Sequence, residues 1–128
     1  MVKKSITLQQ RQIVNDEIDI LDFSGEIDIN NNNRYSVYVI QEDKLNFYCD
    51  LSFLSVDTIY LSYPNKRPIL MKKKEYCAFE YENMGVKLSC EIYLIDCHLD
   101  ENEIKIRYDL CHKKEVLSKN ELVIFIKK

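Results

Sequence analysis

The stretch VKLSCEIYLI, residues 86–95, has the strongest structural signal in this chain. Apolar side chains such as Leu88 and Ile92 alternate along it with polar ones such as Lys87 and Glu91. Alternation with a period of two is typical of a β-strand that buries one face. This stretch therefore predicts a long strand with one side against a core.

The same alternation recurs in five shorter stretches. They are residues 35–39, 45–49, 59–63, 77–81 and 104–110. Short polar connections such as 41–44, 82–85 and 98–102 separate several of these stretches and are typical of hairpins. Because no helical pattern lies between the strands, we expect a mainly β protein, built as a small antiparallel β-barrel.

Helix is predicted only towards the chain ends. Residues 7–15 have a weak helical pattern, and residues 113–119 could form one or two turns. The apolar run at 122–126 could be a closing strand or a buried helix, since periodicity cannot separate the two. We therefore expect a single domain over residues 1–128, with a barrel from about residue 18 to residue 126 and short terminal helical segments.

The composition argues against several classes of partner. The net charge of −3 is unlike the strongly basic balance of dedicated nucleic-acid binders, so we expect no nucleic-acid partner. Two glycines are too few for a glycine-rich phosphate loop. All charged residues from 16 to 28 are acidic, and all from 66 to 74 are basic. Both clusters are interpreted as solvated surfaces. The basic cluster has a second interpretation, a patch that faces an anion.

The sequence also predicts where in the cell the protein is located. No signal peptide and no apolar run of membrane-spanning length can be read, so we expect a soluble cytoplasmic protein with no membrane partner. Five cysteines, an odd number, indicate reduced thiols.

Neither a metal site nor a catalytic group is expected. The dipeptides Cys97-His98 and Cys111-His112 contain metal-ligand residue types, but neighbours on a strand point to opposite faces. The two histidines are instead expected in turns. A cysteine nucleophile would need a base and an oxyanion hole, for which no local pattern exists. We expect a protein that is not an enzyme and has no cofactor.

The segment from Asp50 to Ser55, DLSFLS, is the motif most typical of a binding function. It follows the strand at 45–49 and precedes the strand at 58–63. In motif and strand order the chain resembles the PilZ family of cyclic di-GMP receptors, which have an Asp-x-Ser-x-x-Gly motif after a strand of a six-stranded barrel. The resemblance covers residues 34–126. Asp50 and Ser52 match the first two motif positions, and Ser55 stands where the family has glycine.

The resemblance implies a bacterial signalling module, with cyclic di-GMP as a ligand bound by Arg34, Asp50 and Ser52. Arg34 would pair with phosphate, and the other two would contact guanine edges or backbone. The family's second arginine is replaced by Tyr38, so the resemblance implies a degenerate member with weak or lost nucleotide binding. A protein partner or a second copy would then use the barrel surface, with candidate surfaces at 66–74 and at three tyrosines (Tyr38, Tyr60 and Tyr93).

Two alternatives remain open at this point. A hot-dog fold, as an acyl-thioester binding protein or thioesterase, would also give a long antiparallel sheet, but it needs a central helix of several turns. A structural or subunit-interface domain would instead predict a stable oligomer.

Overall fold

A computed structural model describes residues 2–31, 33–64 and 68–127, with the backbone alone for 81–83. In these residues the chain forms ten strands. They are β1 (Val2–Val14), β2 (Glu17–Asn30), β3 (Arg34–Gln41), β4 (Lys44–Ser55), β5 (Thr58–Ser62), β6 (Ile69–Lys72), β7 (Tyr76–Asn83), β8 (Val86–Leu99), β9 (Glu103–His112) and β10 (Glu115–Ile126). They make one antiparallel sheet in the order β6-β5-β4-β3-β2-β1-β10-β9-β8-β7. The sheet curls into a nearly closed barrel, which confirms the expected mainly β fold.

Two-residue turns join several of the hairpins. The turn residues have positive φ at both positions in the pairs Asn15-Asp16, Glu42-Asp43, Met84-Gly85 and Lys113-Lys114. Positive φ at both central residues is the signature of a type I′ turn, whose twist matches that of the two strands it joins. The sheet is therefore mostly a simple meander of neighbouring hairpins.

The barrel closes between β8 and the β5–β6 region. Lys73 forms a parallel bridge with Leu94, and the Lys74 amide donates to the Leu94 carbonyl at 2.8 Å. Nearby, the Cys97 thiol donates to the carbonyl oxygen of Val56 at 3.3 Å. Because Leu94 is fully buried and its carbonyl is bonded across the seam, the seam is part of the core.

The core fills the barrel between opposite strands. Five side chains with no exposed surface come from five strands: Ile27, Ile59, Leu94, Ile104 and Ile124. Burial of a side chain of this size stabilises the fold by roughly 1.5–3 kcal/mol. The alternation predicted at 86–95 is confirmed from residue 90 onward, where Cys90, Ile92 and Leu94 are buried, whereas Val86 and Leu88 on the same face are exposed. Outward positions of the same strands are then free to form surface sites.

The expected terminal helices were wrong. Residues 7–15 belong mostly to β1, which lies between β2 and β10 and hydrogen-bonds to both. Pairing on two edges and burial of Ile6 and Leu8 outweigh a weak helical propensity. Residues 113–119 are the Lys113-Lys114 turn and the start of β10. The run at 122–126 is strand, and Val123 and Ile124 are both buried, so both faces of this strand are covered.

The described part of the chain contains no helix, so it lacks the central helix that the hot-dog alternative requires. It also has no helical segment long and apolar enough to cross a bilayer.

Candidate functional site

A groove on the outer face of the barrel brings together the three residues predicted to bind a ligand. Arg34 on β3 lies directly opposite Ser52 on β4, and Ser36 lies opposite Asp50. All four are outward positions, since the intervening residues of β3 and β4 are in the core (Tyr35, Val37, Cys49, Leu51 and Phe53). The antiparallel register of β3 and β4 thus places side chains from residues far apart in sequence next to each other.

The groove has a volume of about 590 Å³ and is open to solvent. Its lining comes from β2, β3, β4 and β5: Asn30, Arg34, Tyr35, Ser36, Asp50, Leu51, Ser52, Leu54, Tyr60 and Ser62. Within that lining Arg34 is the cation and Asp50 is the anion. A volume of this size lies within the usual range of small-molecule sites.

Hydrogen bonds hold the Asp50 carboxylate in place. The Ser36 hydroxyl donates to Oδ1 at 2.6 Å, and the Tyr48 hydroxyl lies 2.8 Å from Oδ1 and 2.9 Å from Oδ2. The bond to Asp50 is the main cause that raises the pKa of Tyr48. An ionised carboxylate accepts about four hydrogen bonds, so Oδ2 can still accept one from a ligand.

Arg34 and Tyr60 also line the groove. Arg34 is exposed and forms no ion pair with any residue that the structure describes. Tyr60, 38% exposed, is opposite Ser52 on the neighbouring strand β5. The groove therefore offers a guanidinium, a fixed carboxylate, hydroxyls and an aromatic ring.

A second polar cluster borders the groove on the same face. The Tyr38 and Tyr48 rings are 4.9 Å apart, and the Lys3 ammonium lies 5.9 Å from the centre of the Tyr38 ring and 3.4 Å from the Glu26 carboxylate. Asp28 is buried beside them, and its Oδ1 has no hydrogen-bond partner among the described residues. Burial and the Asp28 carboxylate raise the pKa of Tyr38.

The segment from Asp50 to Ser55 lies within a strand. It was expected after the strand at 45–49 and before the strand at 58–63, but it is the second half of β4. The alternation begun before Cys49 continues through Leu51 and Phe53, which are buried. Asp50 and Ser52 are therefore held by a strand and not by a loop.

The three tyrosines proposed as one aromatic surface are not all together. Tyr38 packs on Tyr48 beside the groove, and Tyr60 lines the groove. Tyr93 lies on β8 and packs on Tyr76, with ring centres 4.7 Å apart. In the basic stretch at 66–74, Lys72, Lys73 and Lys74 are exposed, and residues 66 and 67 lie outside the described residues.

Ser36 and Tyr48, which position Asp50, were not predicted from the sequence. A signal existed for Tyr48: on a strand, residues two apart share a face, so Tyr48 and Asp50 had to be neighbours. Ser36 could be found only from the register of β3 on β4.

The cysteine and histidine pairs form no site in the described residues. There, no group of three or more His, Cys, Asp or Glu side chains is placed to hold a metal ion. The expectation of histidines in turns was wrong, since His98 lies in β8 and His112 ends β9. Burial raises the pKa of the Cys97 and Cys111 thiols, which favours the less nucleophilic protonated form.

Comparison with known proteins supports the fold. No family model matches the sequence, and no curated protein matches it. The chain is similar in structure to the ywiB protein from Bacillus subtilis, with a TM-score of 0.65 and 16% sequence identity. The match covers 98% of this chain and 92% of that protein. At this identity the likeness shows a shared barrel fold and nothing about function.

Proposed function

We propose that this protein is a non-enzymatic binding module whose outer groove binds a guanine nucleotide, with cyclic di-GMP as the first ligand to test. The observation that carries the proposal is that one groove holds an arginine with no ion pair among the described residues, a hydrogen-bonded carboxylate and an exposed tyrosine. These groups match the three parts of a guanine nucleotide: phosphate, base edge and base face.

Each group has a defined role in the proposal. Arg34 pairs with phosphate, because a guanidinium forms two parallel hydrogen bonds to phosphate oxygens. Asp50 accepts hydrogen bonds from the N–H groups on the guanine edge, and Ser52 bonds to the base or to the ligand's sugar. Tyr60 provides an aromatic surface for the base; such stacking is worth about 1–3 kcal/mol.

The proposed binding is weak. The groove contains one arginine where the resemblance to PilZ proteins implies two, and Asp50 already accepts bonds from Ser36 and Tyr48. We expect a Kd of roughly 1–100 µM, about −8 to −5.5 kcal/mol. The proposal makes the protein a degenerate second-messenger receptor in the bacterial cytoplasm.

Isothermal titration of cyclic di-GMP into the wild-type protein tests the proposal. We expect Arg34→Ala to weaken binding at least about tenfold, since a hydrogen bond to a charged group contributes roughly 1.5–3 kcal/mol. Arg11→Ala is the matched control, because Arg11 is also an exposed arginine on a strand but does not line the groove. This control should bind like the wild type.

Equal loss of affinity in the Arg11 and Arg34 variants would show that binding follows net charge and would reject the groove. A titration with GTP separates a general nucleotide site from one for the cyclic dinucleotide. No binding of either nucleotide would favour the second candidate, a barrel whose surface serves a protein partner or a subunit interface.

A further inference from the structure

A second surface lies at the edge of β2, away from the groove. β2 pairs with β1 from Glu17 to Ile29, but with β3 only from Gly25 to Asn30. Residues 17–24 therefore form an edge, and no described backbone group bonds to its outer side. Unpaired strand edges are templates for pairing with another chain.

The turn geometry shows which backbone groups are free. Asn15 and Asp16 form a type I′ turn, so the flanking Val14 and Glu17 exchange both backbone hydrogen bonds. Odd-numbered residues of β2 then bond to β1. The N–H and C=O groups of even-numbered residues point to the free edge, namely those of Ile18, Ile20, Asp22 and Ser24.

The side chains along this edge are apolar and exposed. Ile18 is 59% exposed, Ile20 47% and Leu21 54%. Native edges are commonly protected by charged side chains, proline or a bulge. This segment has no lysine, proline or bulge, and its charged side chains are all acidic. Ile18 and Ile20 lie on one face of β2 and Leu21 lies on the other, so an added strand would contact aliphatic side chains on both faces.

The charge of the segment selects the partner. Asp16, Glu17, Asp19 and Asp22 lie at or beside the edge. Two basic residues are near it, Arg11 opposite Ile20 on β1 and Lys44 across the cleft, so the acidic side chains outnumber the basic ones. A second copy paired through the same edge would bring two sets of these carboxylates together, which is unfavourable. A basic strand would instead place lysine or arginine opposite them.

There is also room beside the edge. β3 and β4 diverge from β2 beyond Gly25, and a cleft of about 740 Å³ lies between the two parts. The cleft is lined by residues 22–24 of β2 and by residues 40–42 and 44–46 of the β3–β4 hairpin. An added strand can enter this cleft at one end.

We propose that the β2 edge at residues 17–24 binds an extended, lysine- or arginine-rich protein segment as an additional β-strand. Main-chain hydrogen bonds to the even-numbered residues supply affinity, and carboxylates and aliphatic side chains select a segment in which basic and apolar residues alternate. This inference does not depend on nucleotide binding in the groove.

The test is fluorescence anisotropy with a labelled peptide, acetyl-KVKVKVK-amide, added to the wild-type protein. We expect saturable binding that weakens with salt, and no binding of the acidic peptide acetyl-EVEVEVE-amide. Methylation of the valine backbone nitrogens of the basic peptide should remove binding if the valine N–H groups pair with β2. If the lysine N–H groups pair with β2 instead, methylation of the lysine backbone nitrogens should remove binding.

Ile20→Pro is the matching change in the protein. It removes an outward N–H and keeps the bonds to β1, so the peptide affinity should fall at least about tenfold. Ile20→Val keeps the N–H and should bind like the wild type. Should Ile20→Pro fail to fold, the double change Asp19→Asn and Asp22→Asn still tests the charge requirement and should weaken binding.

Three results would overturn the inference. One is no binding of the basic peptide to the wild-type protein. Another is basic-peptide binding as tight as that of the wild type, either by a folded Ile20→Pro variant or by the double variant with Asp19→Asn and Asp22→Asn. The third is a wild-type dimer, seen by sedimentation, that Ile20→Pro converts to a monomer, since a second copy would then be the occupant of the edge.

Discussion

Arg34 and Ser52 face each other across β3 and β4 on the outside of the barrel. Both residues line the groove together with Asp50 and Tyr60, so a ligand that binds the guanidinium lies close to the serine. This relationship makes Ser52 a position where the space beside Arg34 can be changed while both charged groups are kept.

Ser52→Leu should block the groove. A leucine at this outward strand position fills the space beside Arg34, and β4 tolerates it because the side chain does not enter the core. We expect loss of measurable cyclic di-GMP binding and a change in unfolding free energy within about 1 kcal/mol. Ser5→Leu, an exposed outward position on β1, is the control and should bind normally. Undiminished binding by Ser52→Leu would place the ligand elsewhere.

Cys49 should make stability depend on pH in the alkaline range. Burial raises the pKa of this thiol from 9.0 to about 12 in the folded protein. Below pH 9 the thiol is protonated in both the folded and the unfolded state, so its full contribution to folding stability is present there. As pH rises from 9 to 12 the unfolded state ionises first, and the folded state loses stability, by roughly 4 kcal/mol in total.

Guanidinium unfolding between pH 8 and pH 12 measures this loss. The Cys49→Val variant lacks the thiol, so its stability should fall less steeply over the same range. Tyrosines with raised pKa values, such as Tyr35 and Tyr108, remain in both proteins and contribute the shared part of the slope. Identical slopes for the two proteins would show that Cys49 is not protected from ionisation.

Gly25 should be irreplaceable, because β2 and β3 meet and then diverge there. A Cβ atom at Gly25 would overlap the carbonyl oxygen of Tyr38, which is backbone and cannot rotate away. Gly25→Ala should therefore destabilise the protein by at least about 2 kcal/mol in chemical unfolding. The control is Gly85→Asn, a turn position with open space and a φ of 80° that asparagine tolerates. A stable Gly25→Ala variant would contradict this view of the strand divergence.

The strands could be predicted where one face is apolar and the other polar. Residues 86–95 and 104–110 met that condition, and both became long strands of the barrel. β1 did not meet that condition. Gln10 and Gln12 lie on the same face as the buried Ile6 and Leu8, and this face is therefore not continuously apolar. The place of β1 between β2 and β10 depends on pairing with distant segments, which no local pattern records.

The grouping of the candidate residues was predictable in part. Arg34, Asp50 and Ser52 were selected by resemblance and motif, and the register of β3 on β4 places them in one groove. Ser36 and Tyr48 were missed because the support of Asp50 depends on that register. The Lys113-Lys114 turn was missed because type I′ turns usually contain Asn, Asp or Gly, and lysine gives no such signal.

Nitrogen-15 NMR of the protein titrated with cyclic di-GMP tests the central claim most directly. We predict that the largest amide shifts fall on the residues around the groove in β3, β4 and β5, including Arg34, Ser52 and Tyr60, and that they saturate with a single Kd. Shifts confined to the β2 edge, shifts spread evenly over the barrel, or no shifts at millimolar ligand would contradict the assignment of the groove.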